Sequence, residues 1–192
     1  MTQTTSSYTD LTTTSPSVLT LLTSPGSAAL RIENSELPDP IQVDETEHRE
    51  VTRRLGAGVQ VYDRNPGVGG VVHTHSTHLV ALTLAGVWHP DDILPPITPY
   101  QVMKVGHIPL IPYARPGAAR VAEQVAQLAN RVRGVMLERL GPVVWESSVS
   151  KASFALEELE ETARLWLLSE PRPAPLDAAA LAELAETFGA TW

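Results

Sequence analysis

The clearest alternation of hydrophobic and polar residues lies in the last third of the chain. Between residues 117 and 133, apolar side chains recur every three or four positions, which predicts an amphipathic helix. Residues 149–168 repeat this period and predict a longer helix, with an inward stripe formed by Phe154, Leu156, Leu159, Ala163, Trp166 and Leu167. Four glutamates of the same helix are expected on its solvent-facing side: Glu157, Glu158, Glu160 and Glu161.

Shorter hydrophobic runs predict strands between and before these helices. The segment GVMLERLGPVVWE predicts two strands around a turn at Gly141 and Pro142. Earlier, GVVHTHS predicts a buried strand, and THLVALTLAG predicts a helix that ends at Gly86. The last residues predict a short helix with Asp177 as its N-cap.

Strands mixed with helices in this order predict an α/β or α+β sheet sandwich. We expect residues 18–192 to form a single domain, because the chain has 192 residues. Residues 1–17 are rich in Thr and Ser and are expected to be a flexible N-terminus.

Composition and charge exclude several classes of function. The net charge of −8 argues against a nucleic-acid surface, because phosphate binding requires clustered Lys and Arg. Basic residues cluster weakly in two groups, Arg49, Arg53 and Arg54, and Arg131, Arg133 and Arg139. No apolar run is long enough for a membrane span, and the N-terminus lacks the features of a signal peptide. With no cysteine in the chain, we expect a cytoplasmic protein without disulfides.

His73, His75 and His78 lie within a span of six residues at the end of the predicted buried strand. His73 and His75 are two positions apart, so on a strand their side chains point to the same side and both can reach one ion. Imidazole is a common zinc ligand, and tight protein sites need three or four ligands. The pair therefore indicates either a weakly held divalent metal, with zinc as the first candidate, or strand-end histidines that bind nothing.

Several longer segments resemble the class II aldolase/adducin family: VVHTHSTHLVALTLAG, LPPITPYQVMKVGHIPLIPYARPG, GPVVW, ALEELEETARLWLL and the C-terminal PLDAAALAELAETFGATW. The resemblance covers roughly residues 18–192 and is strongest to the 3-oxo-tetronate 4-phosphate decarboxylase branch. It implies a three-layer α/β sandwich in which helices flank a mostly antiparallel sheet. It also implies a homotetramer with active sites between neighbouring subunits, and a divalent metal that stabilises an enediolate.

Under this resemblance, His73 and His75 correspond to two metal ligands and two other catalytic positions are replaced. Leu140 stands where the family has its third metal-binding histidine, and leucine cannot bind a metal. Arg54 stands where the family has its catalytic glutamate, and a guanidinium is not a general base at neutral pH. Substitute ligands could come from a neighbouring subunit or from three residues of this chain: His78, Glu138 and His107.

The resemblance also assigns residues that would contact the substrate. Tyr100 aligns with a tyrosine that acts as a proton donor in aldolases, and Gly26 matches a glycine of a phosphate-binding loop. Thr52 and Arg53 take the positions of paired serines, and we group His78 with them as a substrate contact. The family's first phosphate loop has no clear counterpart in this sequence.

The replaced metal ligand, the replaced glutamate and the missing phosphate loop lead to one main hypothesis and two alternatives. The main hypothesis is a repurposed lyase or cyclase, of a kind found in secondary metabolism, that acts on a small, enolisable, non-phosphorylated carbonyl compound. In it, His73, His75, Tyr100 and Arg54 line the pocket, and Arg54 replaces the charge of the metal. The first alternative is a metal-dependent decarboxylase or aldolase with substituted ligands, and the second is a non-catalytic protein that binds a partner subunit or ligand.

Overall fold

The computed structural model describes residues 19–23, 57–115 and 117–192, and for residues 19–23 and 57–59 it describes the backbone alone. Several sequence-based predictions lie outside these ranges: the flexible N-terminus and the roles of Gly26, Thr52, Arg53 and Arg54.

The described residues form a five-stranded sheet with the order β1-β2-β5-β4-β3. Its strands are β1 (Leu19–Thr23), β2 (Gly70–Thr74), β3 (Leu110–Ile111), β4 (Gly134–Leu137) and β5 (Gly141–Glu146). Three of the four strand pairs are antiparallel, and β3 with β4 is parallel. The central pair of β2 and β5 is in register with His73 opposite Val143, so this register sets the position of the histidine segment.

Helices cover both faces of this sheet, and most residues of β2, β4 and β5 are therefore buried on both sides of it. The described helices are α1 (Ala57–Arg64), α2 (Thr77–Ala85), α3 (Ala119–Leu128), α4 (Val149–Leu168) and α5 (Ala178–Phe188). A single π-helical turn, Gln101–Val105, precedes β3.

Two hydrophobic cores follow from the alternation of side chains along the strands. Val72, Met136 and Val144 face one side, where they pack against α2 and α4. Val71 and Val143 face the other side and pack with residues of α1 and α3. The sheet is therefore the middle layer of a three-layer sandwich, and the predicted α/β architecture with a mostly antiparallel sheet is confirmed.

The helix predictions are confirmed for α4 over its whole length, for Gly86 at the end of α2, and for Asp177 as the N-cap of α5. The Asp177 carboxylate accepts a hydrogen bond from the backbone N–H of Ala180 at 2.8 Å. Within the described part of the chain, no helix is long and apolar enough to cross a membrane.

Two local predictions are wrong. Gly141 and Pro142 begin β5, and the turn before it is formed by residues 138–140, with Arg139 at a φ of 62°. Phe154 is 67% exposed. It lies two residues from both Ala152 and Leu156, which places it about 200° around the helix from each of these buried side chains.

Candidate functional site

The side chain of His73 is fixed by the strand next to it. Its Nδ1 lies 2.8 Å from the carbonyl oxygen of Pro142, the second residue of β5, so Nδ1–H donates to that carbonyl. Nε2 then carries the lone pair and has no partner among the described residues. A hydrogen bond from the second ring nitrogen to a carbonyl is the usual way in which proteins orient a metal-binding histidine.

His75 lies beside His73 at the exposed end of the same segment. The two rings meet edge to face, with their centroids 5.3 Å apart and their planes at 73°. The backbone around His75 is supported by Gly141, whose φ is 146°. A Cβ at position 141 would collide with the carbonyl oxygen of Thr74, so only glycine allows β5 to pass this close to the histidine segment.

Burial lowers the pKa of His73 below its ordinary value of 6.5. The hydrogen bond with Pro142 raises this pKa and the nearby His75 lowers it further, and burial is the largest of the three effects. His73 is therefore neutral at pH 7, which is the protonation state that a metal ligand requires.

Leu140 lies on the same side of the sheet as His73. Its partly buried side chain packs against the core cluster that contains Val143, and Val143 is the residue opposite His73 in the strand register. It directly precedes Gly141, which contacts the backbone of His75. The position that the resemblance assigns to a third ligand is thus adjacent to the histidine pair, and it holds an apolar side chain.

Three alternative ligands proposed from the sequence have other roles or positions. Glu138 accepts a hydrogen bond from the backbone N–H of Tyr113 at 2.8 Å. His107 pairs with Asp92 at 2.7 Å. It lines a cavity together with Arg133, whose carbonyl accepts from the backbone N–H of Trp145 near the C-terminal end of β5. Among the described residues, no group of three His, Cys, Asp or Glu side chains could hold a metal ion.

His78, the third alternative, pairs with a glutamate that we expected to be solvated. Nδ1 of His78 lies 2.8 Å from Oε1 of Glu160, and Glu160 is buried on α4. The prediction that Glu160 lies on a solvent-facing surface is therefore wrong. The repeating glutamates of α4 gave no indication of it, because only the contacts with His78 and Leu79 on another helix distinguish Glu160 from its neighbours.

Tyr100 is 60% exposed at the start of the π-helical turn. Within the described residues, no hydrogen bond joins Tyr100 to His73 or to His75. The described residues therefore do not join Tyr100 to the histidines of its own subunit. The tyrosine side chain is exposed and accessible to another molecule.

The donor set tests whether a divalent metal fits this site. The neutral imidazole of His73, with Nε2 available, and the neighbouring ring of His75 are suitable zinc ligands. A third protein ligand is not present among the described residues. The described part of the site therefore provides two metal ligands.

The sequence and the fold match one family of proteins. The class II aldolase and adducin N-terminal domain family matches residues 30–167, which is more than half of the chain. The chain belongs to this family. The resemblance inferred from the sequence is confirmed.

The similar curated proteins include decarboxylases that act on a sugar-acid phosphate. A 3-oxo-tetronate 4-phosphate decarboxylase of Cupriavidus necator is 67% identical over 137 residues, which cover 69% of this chain and 63% of that protein. Its counterpart in Escherichia coli K12 is 42% identical over 125 residues, or 65% of this chain and 59% of that protein. This chain thus spans less than two thirds of the length of these relatives.

Solved structures give the same result for the fold. YgbL from Escherichia coli has a TM-score of 0.64 and 40% identity, covering 69% of this chain and 64% of that one. YgbL from Klebsiella pneumoniae has a TM-score of 0.63 and 43% identity, covering 71% and 64%.

These relatives overturn our main functional hypothesis. We expected a repurposed enzyme with a non-phosphorylated substrate, because the third histidine and the glutamate are replaced and the phosphate loop is reduced. A relative with 67% identity acts, by its name, on a 4-phosphate. The hypothesis of a non-phosphorylated substrate is wrong, and the alternative of a metal-dependent decarboxylase is better supported.

Proposed function

We propose that this chain is a lyase that decarboxylates a phosphorylated 3-oxo sugar acid, 3-oxo-tetronate 4-phosphate or a close analogue, with a divalent metal. The observation that carries the proposal is the 67% identity to a decarboxylase of that substrate over most of this chain. The oriented pair of His73 and His75 supports it, because it provides metal ligands at an exposed strand end.

The name of the substrate defines the chemistry. A 3-oxo acid has its ketone in the β position relative to the carboxylate, so the C1–C2 bond can break with release of CO₂. The bonding pair moves to form a C2–C3 double bond, and negative charge develops on the ketone oxygen. A proton then adds to C2 and restores the ketone. The enzyme must stabilise the enolate charge and deliver this proton.

His73 and His75 are the residues that would hold the metal. A divalent ion bound there would polarise the ketone oxygen and stabilise the enolate. Burial keeps His73 neutral, and the carbonyl of Pro142 orients its ring. Nε2 can therefore bind a metal ion without first losing a proton. A third ligand would come from outside the described residues.

We assign the proton donor for C2 to Tyr100, acting from a neighbouring subunit of a homotetramer. The exposure of Tyr100 and the absence of a described contact with the histidines of its own chain support this assignment. A Tyr100→Phe variant should then lose turnover while keeping its metal content. Mixed oligomers of Tyr100→Phe and His73→Ala chains should recover part of the activity.

The direct test is a CO₂-release assay with 3-oxo-tetronate 4-phosphate and the purified protein supplied with Zn²⁺, Mn²⁺ or Mg²⁺ in turn. We expect turnover with at least one ion and a loss of about 100-fold or more in His73→Ala and in His75→Ala. His89→Ala is the matched control, because His89 is an exposed loop histidine away from the pair.

The absence of CO₂ release above the uncatalysed rate with every ion would contradict the proposal. If the protein then still bound the substrate analogue, the non-catalytic alternative would replace it. Equal activity in His73→Ala and wild type would contradict the role of the histidine pair.

A further inference from the structure

Two of the three arginines in one basic group of the sequence line a cavity that the proposed reaction does not use. The cavity has a volume of about 270 Å³, and Arg131 and Arg133 are among its lining residues. The backbone N–H of Trp145 in β5 donates to the carbonyl of Arg133 at 2.8 Å. Gly141, which lies against the histidine segment, begins the same strand. Four residues of strand, or about 13 Å, therefore separate Gly141 at the histidine pair from Trp145 at the cavity.

Arg133 is held in place by the backbone around the cavity. Its Nη1 donates to the carbonyls of Met103 at 3.3 Å and Lys104 at 3.1 Å. Its Nε lies 3.6 Å from Oε1 of Glu146. These contacts leave Nη2 without a partner among the described residues, and they fix the guanidinium plane in advance, which lowers the cost of ordering it around a ligand.

His107 is oriented in a similar way at another wall of the cavity. Nδ1–H donates to Oδ2 of the buried Asp92 at 2.7 Å. The ring lies against Trp192, with centroids 4.5 Å apart and planes tilted by 38°. Oδ1 of Asp92 accepts from the backbone N–H of Ile108 at 3.3 Å. Asp92 thus holds the ring through Nδ1, and Nε2 of His107 has no hydrogen-bond partner among the described residues.

Arg131 adds an exposed guanidinium that no carboxylate of the described residues pairs with. None of the described residues that line the cavity is Asp or Glu, although the chain has 22 acidic and 14 basic residues. Asn130 and Thr191 add neutral hydrogen-bond donors to the lining. The charged side chains that line the cavity are thus all basic, although Glu146 and Asp92 lie behind two of the lining groups.

We propose that this cavity binds a small phosphate-bearing anion through Arg131, Arg133 and His107, at a site separate from His73 and His75. Two guanidinium groups and an imidazole suit a doubly charged tetrahedral anion, since phosphate accepts several charge-assisted hydrogen bonds at once. The cavity is near the lower end of the usual size range for ligand sites, about 300–1,000 Å³, which favours inorganic phosphate or a small phosphate monoester over a nucleotide.

Calorimetric titration of the metal-free protein with inorganic phosphate, glycerol 3-phosphate and acetate tests the ligand class. We expect both phosphates to bind and Arg131→Gln to weaken their binding about tenfold or more. Arg164→Gln is the matched control, because it removes the same charge from an exposed position on α4; its affinity should stay within twofold of wild type. Thermal unfolding of both variants should match wild type, since each substitution changes only an exposed side chain.

A tungstate soak of wild-type crystals locates the site, because tungsten scatters strongly and mimics phosphate. A peak between Arg131, Arg133 and His107 would support the proposal. Phosphate binding that is unchanged in Arg131→Gln would overturn it, as would acetate binding as tight as phosphate. No phosphate binding at about 50 mM, which is far above the concentration such a site needs, would overturn it as well. None of these measurements depends on decarboxylase activity, so the proposed function can fail independently.

Discussion

Glu160 on α4 caps the first turn of α2 through its contacts with His78. Its Oε1 accepts from the backbone N–H of His78 at 2.9 Å and from the ring Nδ1 of the same residue at 2.8 Å, and Oε2 accepts from the N–H of Leu79 at 3.1 Å. Ser76, at the N-cap position, makes no capping hydrogen bond, because its hydroxyl pairs with that of Thr74. A carboxylate from another helix thus satisfies N–H groups that a helix start leaves free.

Replacing Glu160 with alanine should destabilise the fold on the order of 3 kcal/mol, because two backbone N–H groups and a histidine lose a buried charged acceptor. Urea unfolding at pH 7.5 measures the change. Glu157→Ala, on the exposed side of the same helix, is the control and should change stability by less than about 0.5 kcal/mol. A cycle with His78→Ala should give a coupling energy above about 1 kcal/mol, and additive effects would contradict the pairing.

Replacing Gly141 with alanine should cost on the order of 3 kcal/mol, since the new Cβ would collide with the carbonyl of Thr74 at a backbone angle that disfavours side chains. The same substitution should weaken zinc binding by displacing His75. Gly189→Ala separates the cost of the collision from the cost of the backbone angle. Gly189 also has a positive φ, of 66°, but a Cβ added to it would meet no atom within 4 Å. Equal losses of stability in the two variants would show that the collision is relieved at no cost.

Replacing Leu140 with histidine should strengthen metal binding. The partly buried Leu140 lies on the side of His73, next to the strand end that contacts His75, so a third imidazole there would complete a three-ligand zinc site. We expect Leu140→His to lower the zinc dissociation constant about tenfold or more, measured by competition with a chromophoric chelator. Leu140→Gln is a polar control of similar size. A gain that persists after His75→Ala would contradict a shared site.

The lowered pKa of His73 predicts a loss of stability in acid. Above pH 6.5, the folded and unfolded states both hold a neutral His73. As the pH falls through 6.5, the unfolded state takes up a proton that the buried side chain of the folded state resists, so the free energy of unfolding decreases until the lowered pKa is passed.

His73→Asn removes this titration and keeps a donor for the carbonyl of Pro142. Unfolding at pH 7.5, 6.5 and 5.5 should therefore show a smaller loss of stability in the variant than in wild type. All other histidines are common to the two proteins, so the difference reports His73 alone. Parallel pH curves would contradict the burial effect.

The sequence by itself determined the elements, the family and the histidine pair. Helical spacing located α4 to the residue, Asp177 and Gly86 marked helix ends, and the i, i+2 spacing placed His73 and His75 together, because these patterns depend on neighbours in the chain. The sequence did not separate Glu160 from the other glutamates of α4, and it assigned Gly141 to a turn.

Only the tertiary structure decided these points, since each depends on a contact between distant segments. Glu160 is buried because α2 begins against α4, 81 and 82 residues away in the chain. Gly141 is required because β5 passes against the carbonyl of Thr74. Such contacts also place His78 at a helix start, against Glu160, and they bring Arg131, Arg133 and His107 around one cavity.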